Sequence, residues 1–328
     1  LFNGIASQRF DRTRLCSMQY TTTTLALAYF VTRNMTYASR AAELVQTWFI
    51  RNETRMNPHM QYAQVEPGPK VKSKPPPQGI IEMKDVYYFL DAVRILRQAG
   101  TFSDEDQLAL HEWFRRYLLW LEVSKQGKKE YLAMNSNGVY YDIQIITVAA
   151  FVNDTKTMLW YLDRSVSRLK TQVNQSGAMP WELRRANCEH YQLVALQGWF
   201  TLARIGKIVG RNLWDAYPEV VDGMHLSALC RAAYYAIPFF RPREECPGNK
   251  LSPNATRWWP LWYEAQLNCP GLSMANGSEL SVVISDSKGG KFLKPFKIAP
   301  PSTRFSMPSV FHPYDGIAPW WNLGLSGR

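Results

Sequence analysis

Across residues 20–240 apolar side chains recur at the spacing of an α-helix. Tyr37, Ala41, Leu44, Val45 and Trp48 form one such set, Leu110, Trp113, Phe114, Tyr117 and Leu121 a second, and Val194, Ala195, Trp199 and Leu202 a third. Ser103 followed by Asp104, Glu105 and Asp106 supplies a cap and an acidic first turn for the second set. Further helical patterns cover 81–98, 140–152, 155–173, 218–236 and 257–267, and no comparable strand alternation comes before residue 279. Helices of similar length joined by short connections pack as antiparallel hairpins around a common centre. The expected fold is therefore all-α, an (α/α) barrel or toroid; a four-helix bundle would leave too many helices unplaced.

Two stretches break the pattern. Asn57–Gly79 is rich in Pro, Gly and Lys and too long for a simple connector, the profile of a functional lid or a disordered segment. From about Gly271 the helical period is lost: Ser281–Ser285 reads as a short strand, and Pro295–Pro319 is irregular and proline-rich. The expected organisation is a helical domain over 1–270 with an irregular tail, 271–328, wrapped on it, Trp320 and Trp321 acting as packing anchors.

The 38 Lys and Arg residues against 27 Asp and Glu leave a formal charge of +11, which attracts an anionic partner over long range. Nucleic acid, anionic lipid and acidic polysaccharide all satisfy that sign. The basic residues are scattered over helical faces, and the one concentrated run, Lys70–Lys74, is interleaved with prolines, so no nucleic-acid motif emerges. No apolar segment reaches the length needed to span a bilayer. Neither nucleic acid nor membrane is an expected partner, and a monomer is expected.

Six N-x-Ser/Thr sequons, at Asn34, Asn52, Asn153, Asn174, Asn254 and Asn276, exceed the roughly two that composition would give by chance. Glycosylation at this tripeptide happens in the secretory lumen, so the excess points to a secreted, extracellular glycoprotein. No signal peptide stands at Leu1, which fits a processed chain as well as a cytosolic one. The five cysteines, Cys16, Cys188, Cys230, Cys246 and Cys269, match neither a zinc site nor a redox Cys-x-x-Cys. They permit two disulfides, and Cys246 with Cys269 is the expected pair, because that Pro- and Gly-rich region gains most from a staple.

Three segments gather polar and aromatic residues where a loop meets a helix: 54–64 (Thr-Arg-Met-Asn-Pro-His-Met-Gln-Tyr-Ala-Gln), 135–144 (Asn-Ser-Asn-Gly-Val-Tyr-Tyr-Asp-Ile-Gln) and 181–191 (Trp-Glu-Leu-Arg-Arg-Ala-Asn-Cys-Glu-His-Tyr). None fits a P-loop, a dinucleotide fingerprint, a serine-nucleophile elbow or a metal-ligand spacing. Ordinary glycoside hydrolysis needs two carboxylic acids across the bond, and no such pair is evident. Amide, Arg, His and Tyr side chains suit a different reaction. Removing the C5 proton beside a uronate carboxylate calls for donors that neutralise that carboxylate as charge spreads onto it. A Tyr or His then takes the proton, and a Tyr can return one to the leaving glycosidic oxygen.

In order and spacing the segments resemble signatures of the alginate lyase superfamily: T-R-M-N-P-x-x-x-Y-A-Q, then N-N-H-G-x-x-Y-D-x-Q, then E-L-x-R followed by a Tyr. The resemblance spans about residues 25–240. It implies an incomplete (α/α) toroid with a glycan-binding cleft, an anionic polysaccharide or oligosaccharide as partner, and no cofactor or metal. Carried over position by position, Tyr191 matches the catalytic Tyr, Asn135 the first Asn, and Arg185 or Arg184 the assisting Arg. Tyr62 and Gln64 match cleft residues, and Arg55, Asn57, His59, Ser136 and Tyr141 from the same motifs join them as expected substrate contacts. The middle motif departs: where the family has Asn then His, this chain has Ser136 then Asn137. Asn137 donates hydrogen bonds to a carboxylate but does not accept a proton at neutral pH. The proton then falls to Tyr191 as both base and acid, or to His190 or His59.

Plainer roles stand beside these. Tyr191 also fits a core tyrosine, Asn135 and Asn137 beside Gly138 a turn and helix cap, and Arg184 and Arg185 surface partners of Glu182 or Glu189. His111, His225 and His312 are read as structural or exposed. The expected activity is β-elimination on a polyuronate, glucuronan or alginate-like glycan. Elimination from an oxidised or acidic oligosaccharide, and non-catalytic binding of an anionic glycan, are the alternatives.

Overall fold

A computed structural model describes residues 11–65, 76–185, 187–221, 223–236, 261, 264–275, 279–284, 291–292 and 296–297. In chain order the helices are α1 (Asp11–Thr32), α2 (Met35–Phe49), a 3-10 helix (Pro77–Met83), α3 (Val86–Gln98), α4 (Asp104–Val123), α5 (Lys125–Tyr131), α6 (Ser136–Phe151), α7 (Thr155–Gln172), α8 (Pro180–Leu183) and α9 (Cys188–Ile208). A second 3-10 turn (Leu213–Asp215) and a hairpin of β1 (Glu219–Val221) and β2 (Met224–Leu226) lead into α10 (Ala228–Ala236). β3 (Leu272–Ala275), β4 (Glu279–Ile284), β5 (Lys291–Phe292) and β6 (Phe296–Lys297) follow.

Local chemistry sets where helices start. The Ser103 hydroxyl accepts from the Asp106 amide at 3.1 Å, and the Ser124 hydroxyl accepts from Gly127 N–H at 2.9 Å to open α5. Asn34 opens α2 in the same way, accepting from Thr36 N–H at 3.0 Å. Each bond satisfies an amide that the first helical turn leaves without a partner.

The described residues group into two compact units: one holds those up to Ala133 and Tyr140–Tyr161, the other Met134–Val139 and those from Leu162 onward. In the first unit α1 packs on α2 and α3, and α4 on α5. Small residues on α2 (Ala38, Ala41, Ala42) are fully buried, letting its neighbours approach closely. Phe49, at the end of that stripe, is the hub of an aromatic core, its ring centroid 4.6 Å from Trp113, 5.4 Å from Phe114 and 5.6 Å from Phe89. α6 is apolar on nearly every side and is buried as such a helix must be. Its one inward amide is satisfied twice: Tyr117 Oη donates to Gln144 Oε1 at 2.7 Å, and Gln144 Nε2 donates to the Ile80 carbonyl at 3.1 Å.

The long segment 57–79 is held at both ends. Trp113 Nε1 donates to the Met56 carbonyl at 2.7 Å and Gln126 Nε2 to the Gln61 carbonyl at 3.0 Å. At its far end a Cβ on Gly79 would lie 2.4 Å from the Ala63 carbonyl oxygen, so only glycine permits the approach. Lys70–Lys74 lies outside the described residues.

In the second unit α9 is the central helix. Leu193, Ala195, Leu196, Trp199, Phe200, Leu202 and Ala203 are fully buried, and α8 and α10 pack on it. The helix expected over 218–236 is corrected in its first half. Residues 219–226 pair as an antiparallel hairpin, Glu219 with Leu226 and Val221 with Met224. The cause is the Asp222–Gly223 dipeptide, a strong two-residue hairpin signal; Gly223 adopts φ +78°. The short strand expected near 281 is β4, which pairs antiparallel with β3, β5 and β6. Trp320 and Trp321 lie outside the described residues.

The disulfide assignment also changes. Cys269 bonds to Cys230, not to Cys246, with a Cα–Cα distance of 5.4 Å. A disulfide needs its two Cα atoms about 5.5 Å apart, and it is the packing of α10 that brings Cys230 there; composition of the intervening chain carries no such information. Cys188 is disulfide-bonded as well, and Cys16 is free. Replacing Cys230 and Cys269 together by Ser is expected to lower stability by about 2–4 kcal/mol. A thermal or denaturant melt unchanged from the parent would contradict this.

Candidate active site

Within the second unit the turn 135–138 is built by its own first residue. Asn135 Oδ1 accepts from the Asn137 amide at 3.1 Å, and its carbonyl accepts from Gly138 N–H at 3.0 Å and from Gln172 Nε2 at 3.3 Å. The turn-and-cap role is thus real, and it leaves the Asn135 side-chain NH2 as a donor. Among the described residues the Asn137 side-chain amide makes no hydrogen bond.

Facing this turn is α8. Pro180 at its first position fixes the backbone for a helical start, and Gln192 clamps the approach, accepting from Met179 N–H at 3.0 Å and donating to the Gly177 carbonyl at 3.1 Å. α8 delivers Glu182, 1% exposed. One carboxylate oxygen of Glu182 accepts from the backbone N–H of Ser136, and the other meets Arg185 Nη1 at 3.4 Å. Burial pushes the Glu182 carboxyl above the ordinary carboxylate range, while the Ser136 N–H and the Arg185 guanidinium pull it back.

Arg185, so held, lies with its guanidinium carbon 3.1 Å from the centroid of the half-buried Tyr191 ring. His190 sits beside it, its ring centroid 5.3 Å from that of Tyr191. Ser136, Glu182, Arg185 and Tyr191 therefore form one continuous line of contacts. Ser136 itself is 1% exposed and contributes through its backbone rather than as an exposed substrate contact, a correction to its expected role. Arg184 points elsewhere, stacking on the exposed indole of Trp181 at 4.9 Å.

In the first unit, the exposed Gln64 has φ +61° and donates to Glu82 Oε1 at 2.5 Å, while Arg12 Nε meets Glu82 Oε2 at 2.5 Å. His59 Nδ1 accepts from Gln61 N–H at 3.4 Å, and its ring lies 6.0 Å from Tyr62 and 6.1 Å from Trp120. Tyr62 is 65% exposed, and Arg55 and Asn57 are exposed. Tyr141 is corrected: it is 1% exposed and its hydroxyl donates to the Leu121 carbonyl at 3.0 Å, which makes it a core tyrosine rather than a substrate contact. From Gly138 to Ile146 helix α6 is buried on every side, so this motif position had no open face to use.

Two contributors escaped the sequence reading. Glu182 was visible only as a partner for Arg184 or Arg185, because nothing in spacing shows that a carboxylate will also take a backbone amide 46 residues away. Trp120 stands next to Leu121 in a helix whose neighbours are core residues, and its half-exposed position beside His59 follows only from packing. His111 packs on Phe151 with ring centroids 5.0 Å apart, and burial lowers its pKa. His225 is exposed on β2, and His312 lies outside the described residues. Burial, with Asp85 and Glu82 adding to it, raises the Cys16 thiol to about 11. Asn34, Asn52, Asn153 and Asn174 are all exposed; Asn254 and Asn276 lie outside the described residues.

Residues 3–243 match the alginate lyase family. No curated protein matches the chain by sequence. Among solved structures it is similar to an alginate lyase from Bacteroides ovatus, with a TM-score of 0.71, 23% identity, and coverage of 79% of this chain and 68% of that one. The likeness carries the fold: a mostly helical (α/α) toroid.

Because the folded Glu182 carboxyl titrates above its unfolded value, its contribution to stability is full below the unfolded pKa and is lost as pH rises through the folded one. Glu182→Gln removes that penalty and the anion that aims Arg185. Turnover on an acidic polysaccharide is expected to fall on the order of 10²-fold, with no drop in the thermal midpoint at neutral pH. Unchanged turnover, or a fall that merely follows lost stability, would count against the positioning role.

Proposed function

Because the chain belongs to the alginate lyase family, and so is a polysaccharide lyase acting on carbon–oxygen bonds, we propose that it cleaves a 1,4-linked uronate-containing glycan by β-elimination at Tyr191. The observation that carries this reading is the Arg185 guanidinium lying against the Tyr191 ring while Glu182 ties that arginine to the 135–137 turn. A proton-transfer group, a fixed cation and amide donors are the set that elimination beside a carboxylate requires.

In the proposed reaction Arg185, Asn135 and Asn137 bind the carboxylate at the cleaved bond. Charge moves onto that carboxylate when C5 loses its proton, and donors already in place stabilise it without rearranging. Tyr191 oxygen takes the C5 proton, the C4–C5 double bond forms, the C4–O4 bond breaks, and the same proton passes to O4. Tyr191 ends in the protonation state in which it began, so one residue on one face of the sugar suffices. This is how the reaction proceeds with Asn137 where a histidine was expected: the amide neutralises, and it is not asked to accept a proton. His190, next to Tyr191, is the alternative base.

Tyr62, Gln64, His59 and Trp120 are proposed as glycan contacts of the first unit, Trp120 and Tyr62 by stacking. The substrate is proposed to be a polyuronate, glucuronan or alginate-like chain, consistent with the charge of +11. Export and N-glycosylation belong to the same proposal, supported by four sequons on exposed asparagines. The protein is proposed to act as a monomer.

Tyr191→Phe keeps the ring under Arg185 and removes only the hydroxyl. It is expected to lower the rate of unsaturated-uronate formation, followed by ultraviolet absorbance, by about 10²- to 10⁴-fold. A Tyr191→Phe protein as active as the parent would transfer the proton-carrying role away from Tyr191.

A further inference from the structure

The first unit carries an aromatic surface that the proposed chemistry does not use. Trp160 on α7 is 52% exposed although it is among the largest apolar side chains. Tyr131, the last residue of α5, lies nearly parallel to it, with ring centroids 6.4 Å apart and planes inclined by 12°. Both stand on one buried ring. Tyr161 is 5% exposed and meets Tyr131 at 87° and Trp160 at 76°, with centroids at 6.3 and 4.7 Å. Tyr161 in turn packs toward the core tyrosine Tyr141, 6.2 Å away. Two parallel rings fixed perpendicular to a third, buried ring form a surface set before any ligand arrives. Leu132, 70% exposed, extends its apolar character.

Charge borders the same rings. Lys128 precedes Tyr131 by three residues on α5, and Lys156 precedes Trp160 by four on α7, spacings that bring side chains together on one helical face. Both lysines are exposed. Asp154, at the start of α7, has its carboxyl held low by hydrogen bonds from Thr157 and lies close enough to Lys156 for the lysine to help, so the rim is charged with both lysines outermost. An exposed apolar patch with a polar rim is a mark of a binding surface.

We infer that Tyr131, Trp160, Lys128 and Lys156 form a second binding site for an acidic, 1,4-linked polysaccharide, separate from the residues that cleave it. The apolar C–H faces of successive pyranose rings lie on the two aromatic rings, and the lysines meet the uronate carboxylates. A neutral glucan offers the first contact without the second, and a polyanion lacking sugar faces offers the second without the first. The site would hold the enzyme on a long chain between cleavage events. The inference rests on the proposed function only in taking a polyuronate as the ligand.

The test is affinity electrophoresis of the full chain, in the cold, through gels containing alginate or neutral hydroxyethylcellulose. The parent is expected to be retarded by alginate and not by hydroxyethylcellulose. Trp160→Ala, and separately the pair Lys128→Gln with Lys156→Gln, are each expected to weaken the alginate interaction by about tenfold. Turnover of trimeric and tetrameric oligouronates should remain within about twofold, as for surface substitutions outside the reacting residues. Trp160→Ala retarded as strongly as the parent overturns the inference, as does equal retardation by the neutral polymer or a matching loss of turnover on short oligomers. Failure of the Tyr191 assignment would show in Tyr191→Phe turnover and would leave the retardation comparison unaffected.

Discussion

A buried carboxylate with two different partners organises the second unit's chemistry. Glu182 gives one oxygen to the Ser136 amide and the other to Arg185. Removed from water, such a charge is tolerated only because it is paired and hydrogen-bonded. The pairing has a geometric result. The start of α6 and the end of α8 are joined through one side chain, and Arg185 is confined to a position over Tyr191. A longer, freer arginine would sample many positions, most of them useless to a reaction that needs positive charge at one place. Gln192 and Gly177 serve the same end from behind, clamping the chain that delivers Glu182.

Helix periodicity made most of the fold legible before any coordinates. The set around Trp113 became a buried face and that around Trp199 is buried except for the half-buried Val194, whereas around Val45 only Ala41 and Val45 are buried and Tyr37 stays exposed. The Ser103 cap is observed at the start of α4. What failed did so for local reasons. Val220 and Val221 sit in a pattern that reads equally as helix or strand, and the Asp-Gly dipeptide behind them decides for the hairpin. Cys269 had several possible partners, and only the packing of α10 selects Cys230. At the site, Asn135, Arg185 and Tyr191 were visible as residue types in order. Tyr141 looked equivalent to them in the motif, yet it lies on the stretch of α6, Gly138 to Ile146, that is buried on every side. Glu182 was hidden because a carboxylate's choice of a backbone amide depends on tertiary distance, which spacing along the chain does not encode.

The departure of the middle motif becomes physically coherent in this setting. Replacement of an expected histidine by Asn137 removes a proton acceptor but keeps a hydrogen-bond donor. In the proposed reaction the proton-carrying burden then rests on the Tyr191 hydroxyl, with His190 adjacent, while carboxylate neutralisation is shared by a guanidinium and amides. In the same proposal the net charge of +11 brings the polyanion in, and donors of fixed geometry stabilise what forms after it arrives. Steering works over long distances and is weakened by salt, whereas the fixed donors act at contact and are far less sensitive to it.

The proposed arrangement breaks a glycosidic bond by elimination and not by adding water. Mass spectrometry of products formed from alginate, glucuronan and glucuronoxylan in ¹⁸O-labelled water separates the two directly. Elimination gives fragments whose new non-reducing end is an unsaturated uronate, lighter by one water than a saturated one, with no label introduced at the moment of cleavage. Saturated non-reducing ends, with water-derived oxygen placed on C1 of the new reducing end, would contradict it.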